Sequence, residues 1–336
     1  MVALAGAETA LRLFAPQPTG PVQYAWNPEL GQVQVPHQKG RRTIPGVYSY
    51  SYTNNSMGIR GTEEYAAGRR PGVRRILLLG DSFTYGVGVD DEQTFAVRLE
   101  RILDSTDAKT EVINAGVGGT GTDYALNFFL KAGRPLEPDA VALFFYWNDF
   151  GDNAKHSFRL VDGIPAGTAH NPVEAKSFTG SIPGYNWLVA RSHLANLLKQ
   201  AAIRWTLGKR ESDAVEVPPA ERMPVQPGQN ELDETAGLIR TLHREVERAG
   251  AEFLLFYVPT EGEVERYRRG EPATEPEAFL AGVGGTSFHS FTPVLAGSPV
   301  SAGELYFTER HWTSAAHRIV AGHLANLLGA RTRTPP

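Results

Sequence analysis

The residues Ile76-Leu77-Leu78-Leu79 form an unbroken apolar run between Arg75 and Gly80. A strand with one wet face alternates apolar and polar residues, so a run without alternation predicts a strand buried on both faces. Such a strand needs neighbours on each side and covering layers above and below. The rest of the chain supplies them. Phe95, Leu99 and Ile102 share a helical face, Val112-Ile113 is a second short strand, Thr122–Lys131 a helix and Ala140–Tyr146 a third strand. A helix over Leu232–Ala249, a strand over Glu252–Val258 and a helix over Ser314–Leu328 resume the pattern. Alternating strands and helices of this kind predict an α/β fold on a parallel sheet.

Two stretches depart from the alternation. Residues 1–72 are rich in Pro and Gly, carry little helical periodicity, and offer Val47–Tyr52 as a short strand. They read as an N-terminal extension laid on the core, residues 73–330, through Tyr and Trp side chains. Residues 150–230 form an insertion with one amphipathic helix at Trp187–Leu207, and 208–230, with Pro218, Pro219, Pro224 and Pro227, reads as a mobile linker. Residues 331–336 are a tail. No run approaches the 18 apolar residues that span a bilayer, and Met1–Ala7 is too short and lacks the basic residues of a signal peptide. A membrane anchor is therefore not expected within this chain.

The first strand runs directly into Gly80-Asp81-Ser82-Phe83-Thr84-Tyr85-Gly86. In an open parallel sheet, ligands bind beyond the carboxyl ends of the strands, so Ser82 stands where a nucleophile would. Its own backbone N–H can help hold an oxyanion. The plainer reading is a strand-to-helix turn in which Asp81 or Ser82 caps the helix. The chain has no cysteine, which excludes a thiol nucleophile and any cysteine-ligated metal. Near the other end, Glu309-Arg310-His311 offers a general base with a carboxylate two residues before it. Between them, the glycine turn Asn114-Ala115-Gly116-Val117-Gly118-Gly119 and the pair Asn148-Asp149 follow the second and third strands. A backbone N–H from that turn and the Asn148 amide would complete an oxyanion site.

These four blocks, in this order, resemble the SGNH hydrolase superfamily, also called GDSL-type esterases and lipases. The resemblance implies a three-layer α/β/α, flavodoxin-like sandwich with about five parallel strands. It also implies Ser82 as nucleophile, His311 as base, and Ser82, Gly119 and Asn148 as oxyanion donors. Two positions depart from the family's pattern. The third block usually reads Gly-x-Asn-Asp, whereas here it is Tyr146-Trp147-Asn148-Asp149. The family's acid usually lies three residues before the His, at what is here Thr308, so Glu309 takes that place at a shorter spacing. A Ser–His dyad is the alternative. The order argues against an α/β-hydrolase, whose nucleophile sits in Gly-x-Ser-x-Gly; Thr84 occupies the second glycine's position.

The function expected is ester hydrolysis through an acyl-enzyme, removing a short, acetyl-like group from a small-molecule or carbohydrate ester. The alternatives are an O-acyltransferase acting on a glycan with the same Ser-His machinery and a dinucleotide-binding or non-catalytic binding protein. The dinucleotide reading rests on Gly116-Val117-Gly118-Gly119-Thr120-Gly121, which matches Gly-x-Gly-x-x-Gly. Its acidic partner is misplaced: Asp139 opens its strand and Asp149 comes late. No cofactor is expected. His311, His317 and His323 recur every six residues, which scatters them around a helix, so no metal site is expected and His317 and His323 read as partly exposed. A net charge of −4 argues against a nucleic-acid partner. Trp147 and Trp312 flank Asn148 and His311 and read as core before sugar-stacking wall. Asn54–Arg60 resembles a segment of envelope-associated relatives, which tilts location towards extracytoplasmic or cell envelope, with cytoplasmic the alternative. Arg60 reads as tying the extension down rather than holding a substrate carboxylate.

Overall fold

The computed structural model describes residues 2–68, 71–104, 109–154, 158–161, 164–168, 183–207 and 227–331. The predicted linker falls outside them over 208–226, as does the tail over 332–336.

The buried run becomes β5 (Val73–Gly80), preceded by two hairpins of the extension, β1 (Tyr24–Asn27) with β2 (Gly31–Gln34) and β3 (Lys39–Ile44) with β4 (Tyr48–Thr53). After β5 come β6 (Lys109–Asn114), β7 (Ala140–Tyr146), the small hairpin β8 (Phe158–Val161) and β9 (Ile164–Thr168), β10 (Glu252–Val258) and β11 (Phe288–Ser290). Five of these form one sheet in the order β6-β5-β7-β10-β11, every pair parallel. The fold is the expected α/β arrangement of helices on both faces of a five-stranded parallel sheet.

Pleating explains the two layers, because successive side chains on a strand point to opposite faces. Ile76, Leu78, Ala142, Phe144, Leu254 and Phe256 face one apolar cluster, while Leu77, Leu79, Val141, Leu143, Phe145 and Leu255 face the other. Helices α1 (Val2–Phe14), α2 (Ser82–Tyr85), α3 (Phe95–Asp104), α4 (Thr122–Phe128) and α5 (Asp149–Ala154) lie in the first half. The second half holds α6 (Tyr185–Val189), α7 (His193–Leu207), α8 (Gln229–Arg248), α9 (Glu261–Arg268), α10 (Glu275–Gly284), α11 (Thr292–Ala296), α12 (Ala302–Leu305) and α13 (Ser314–Arg331). Helices α3 and α13 cover the first face, α4 and α8 the second.

Several expectations need correction. The extension opens with a helix, α1, that buries none of its own side chains and is held through Glu8, which accepts from the amides of His193 at 3.0 Å and Leu194 at 2.9 Å. These are otherwise unpaired N–H groups at the start of α7, and a carboxylate satisfies them. The helix expected over Trp187–Leu207 is two helices, α6 and α7, separated at Ala190–Ser192. The α-helical turns of Thr122–Lys131 stop at Phe128 and pass into a π-type turn over Phe129–Gly133. The last residues of the expected linker are helical, since α8 begins at Gln229. No described helix is long and apolar enough to cross a membrane.

Candidate active site

Strand β5 pairs with both β6 and β7, so the chain reverses its winding direction there and its flanking connections diverge. The crevice that results beyond the strand ends is the usual ligand position in such sheets. The turns after β5, β6 and β7 all open into it, carrying Ser82, the glycine turn and Asn148.

Gly80 lets the chain leave β5 so sharply. A Cβ there would lie 2.6 Å from the Phe144 carbonyl oxygen and also strike the Thr84 hydroxyl. Asp81 then caps α2, accepting from the Phe83 amide at 2.8 Å, as the plain capping reading expects. Burial pushes the Asp81 carboxyl up to about 6, against the pull of the Phe83 amide and of His311. Ser82 remains partly exposed.

His311 arrives from the far end of the chain. Its Nε2 lies 2.8 Å from Ser82 Oγ, and its Nδ1 lies 2.5 Å from Glu309 Oε2. The imidazole packs on the Phe83 ring at 5.1 Å between centroids, and Phe83 in turn meets Tyr146 at 4.4 Å and Trp312 at 5.2 Å. Trp312 is thus a core residue, 1% exposed, and not a wall of the crevice. Glu309, His311 and Ser82 form a continuous hydrogen-bonded chain in which the carboxylate can fix the ring tautomer and the ring can accept the hydroxyl proton. Thr308 is exposed and takes no part in it.

The glycine turn is stitched beneath Ser82. Asn114 donates to the Thr84 carbonyl at 2.8 Å, and the Val117 amide donates to Gly80 O at 2.9 Å. A Cβ on Gly118 would lie 3.4 Å from Ser82 Cβ and 2.5 Å from the Tyr24 hydroxyl, so Gly118 is the point of closest approach. Gly119, next along, has a φ of +73° and open space where a side chain would be. Asn148 precedes α5 and donates from Nδ2 to Asp152 Oδ2 at 2.7 Å. No hydrogen bond between Asn148 and Ser82 accompanies it among the described residues. Below lies Asp149, 1% exposed, whose carboxyl is pushed well up by burial and then by Asp81, Asp152 and Asp123.

The dinucleotide reading loses its room. Gly116 packs against the Thr84–Tyr85 backbone, Gly118 against Tyr24, and Gly121 against Asn153, so protein atoms occupy the approach a pyrophosphate would need. Among the described residues, no three His, Asp or Glu side chains gather into a possible metal site. His317 is not a partly exposed surface residue. It is 1% exposed, accepts from the Phe95 amide at 3.1 Å and stacks on the Phe95 ring. His323 is half-buried against Phe291. Tyr24 and Gln32, both from the extension, reach the glycine turn, and nothing in the local sequence around them signals it.

The sequence profile of the GDSL-like lipase/acylhydrolase family matches residues 78–289. The chain belongs to this family. It is accordingly a hydrolase of ester bonds. No curated protein matches the sequence. Among solved structures, a two-domain esterase active on acetylated mannans shares 16% identity at a TM-score of 0.44, covering 79% of this chain. The chain spans only 51% of that protein's length. A lipase/acylhydrolase from Enterococcus faecalis shares 14% identity at a TM-score of 0.43, with 77% of this chain and 96% of that one covered. A catalytic mutant of an acetylxylan esterase from Geobacillus stearothermophilus shares 12% identity at 0.43, covering 75% and 93%.

Proposed function

We propose that the chain hydrolyses esters of small alcohols or carbohydrates through an acyl-enzyme on Ser82. The observation that carries this reading is the hydrogen-bonded chain from Glu309 through His311 to Ser82, joining residues 229 positions apart in sequence. His311 Nε2 takes the hydroxyl proton as Ser82 Oγ bonds to the ester carbonyl carbon. The Ser82 and Gly119 amides and the second amide proton of Asn148 receive the oxyanion. Collapse breaks the bond to the alcohol oxygen, which takes the proton back from His311. Water then repeats the sequence and leaves a carboxylic acid and free serine. The Glu309 carboxylate holds the Nδ1 proton throughout and offsets the charge of the imidazolium.

The crowding on this side of Ser82 supports a short acyl group, since Gly118 lies against Ser82 and the Tyr24 hydroxyl fills the space beside Gly118. Ser82→Ala is expected to lower kcat on p-nitrophenyl acetate by about 10⁴-fold or more. Hydrolysis should also fall as the acyl chain lengthens from acetyl to octanoyl. Retained turnover in Ser82→Ala would overturn the reading, and a preference for octanoyl would overturn the short-acyl assignment.

A further inference from the structure

The β1–β2 hairpin lies over the glycine turn. Its register sets Trp26 opposite Gln32 and Tyr24 opposite Gln34, so these four side chains share one face. Gln32 Nε2 donates to Gly118 O at 2.8 Å, and the Tyr24 hydroxyl rests where Gly118 would carry a side chain. The carbonyl that Gln32 holds belongs to the same peptide unit as the Gly119 N–H.

That peptide is trans, as is every peptide in the described chain, so its N–H points opposite to its C=O. Whatever fixes the direction of Gly118 O fixes the direction of the Gly119 N–H. Left alone, this peptide would be easy to rotate. Gly118 and Gly119 are the two central residues of the turn from Val117 to Thr120, and the φ of +73° at Gly119 is that of a type II turn. Rotating the central peptide interconverts type II and type I turns, and two glycines offer no Cβ to resist it. After such a rotation the carbonyl oxygen would point where the N–H had been. A carbonyl dipole facing an oxyanion would oppose the reaction that the N–H assists.

We propose that Gln32 is a positioning residue for ester hydrolysis: its amide locks the Gly118–Gly119 peptide in the orientation that presents the Gly119 N–H to the oxyanion. Tyr24 backs the lock by filling the space beside Gly118. The extension therefore completes the oxyanion site from outside the sheet. This inference rests on the assignment of Gly119 as an oxyanion donor.

Gln32→Met keeps the length of the side chain and removes the donor. In the full chain it should lower kcat on p-nitrophenyl acetate roughly 10- to 100-fold, short of the loss expected when a donor is removed outright. KM should stay within about twofold, because uniform binding is untouched. The midpoint of the pH–rate profile should not move, since the Glu309–His311 pair is intact. A boronic acid that forms a tetrahedral adduct on Ser82 should lose affinity in proportion to kcat. Gln32→Lys, which restores a donor of similar reach, should recover most of the rate. Thermal melts of each variant establish that it is folded. A wild-type kcat in folded Gln32→Met, or equal losses in Gln32→Met and Gln32→Lys, would overturn the proposal. If Ser82→Ala abolishes turnover while Gln32→Met does not, the lock alone fails; if Ser82→Ala stays active, the underlying site assignment fails.

Discussion

Arg310 sits at a φ of +89°, a left-handed conformation that a long side chain rarely adopts. It lies between Glu309 and His311, in a tight turn whose ends, Tyr306 and Trp312, are bridged antiparallel. The Arg310 amide donates to Phe307 O at 2.7 Å, and the Phe307 amide to His311 O at 2.8 Å. The turn folds Glu309 back onto the ring of His311, which is how a carboxylate only two residues away reaches Nδ1. An acid-x-His spacing thus comes with backbone strain, of the order of 1–3 kcal/mol for such a residue. Replacing Glu309 by Gln should lower kcat/KM by about 10²-fold or more, because the neutral amide neither fixes the tautomer nor balances the imidazolium. Thr308→Ala should leave it within twofold. Steady-state kinetics of the two variants decides between them, and the reverse ranking would overturn Glu309 as the partner that orients His311. The sequence carries the spacing but not the turn that brings Glu309 against the ring, so by itself it leaves both a triad and a Ser–His dyad open.

Arg60 joins two elements that share no sheet. Its side chain is 2% exposed, and it donates to Asp91 at 2.8 Å, to the Tyr85 carbonyl at 2.9 Å and to the Val89 carbonyl at 2.6 Å. The guanidinium also lies 4.8 Å from the Tyr85 ring centroid and 5.6 Å from that of Tyr50. It clamps the extension to the end of α2, three residues beyond the serine. Arg60→Met would strand Asp91 and the carbonyls without their donor, at a cost of about 3–5 kcal/mol. Urea denaturation should read that loss as a lower midpoint, and kcat should fall with it as α2 loosens. A stability within 1 kcal/mol of wild type would show that the clamp is dispensable. Elements like this one were unevenly legible. Strands β7 and β10 fall where their unbroken apolar runs place them, because burial on both faces demands such runs. Strand β11, only Phe288–Ser290 at a sheet edge, has no run to announce it. The hairpin that carries Tyr24 and Gln32 has polar residues at its working positions, and only tertiary contact gives them meaning.

Across the whole molecule, the buried titratable groups pull stability in opposite directions as pH changes. His317 is held neutral: burial depresses its affinity for protons well below the ordinary imidazole value, and Arg60, Arg98 and His311 add to it. The unfolded chain protonates this histidine near its reference value of about 6.5. Below that pH the unfolded state binds the extra proton, so stability is lost as pH falls from there. The carboxyls act the other way. Burial raises Asp81 to about 6 and Asp123 to about 7, and lifts Asp149 well up, so the folded state holds protons the unfolded state releases. Their contribution grows as pH falls from about 7 towards 4, which partly cancels the histidine's loss and masks both in the wild-type curve. Variants separate them. His317→Asn keeps an acceptor for the Phe95 amide and cannot be protonated, so its deficit against wild type should shrink from pH 7 to pH 5, by up to about 1.4 kcal/mol per unit. Asp149→Asn mimics the protonated carboxyl, so its stability relative to wild type should improve as pH rises from about 4, where the unfolded carboxyl ionises. Unfolding free energies measured by urea at pH 5, 7 and 8.5 test both slopes. A His317→Asn deficit that stays constant over pH 5–7 would mean the buried imidazole takes up a proton as readily as the unfolded chain does, and the neutral acceptor role would have to be abandoned.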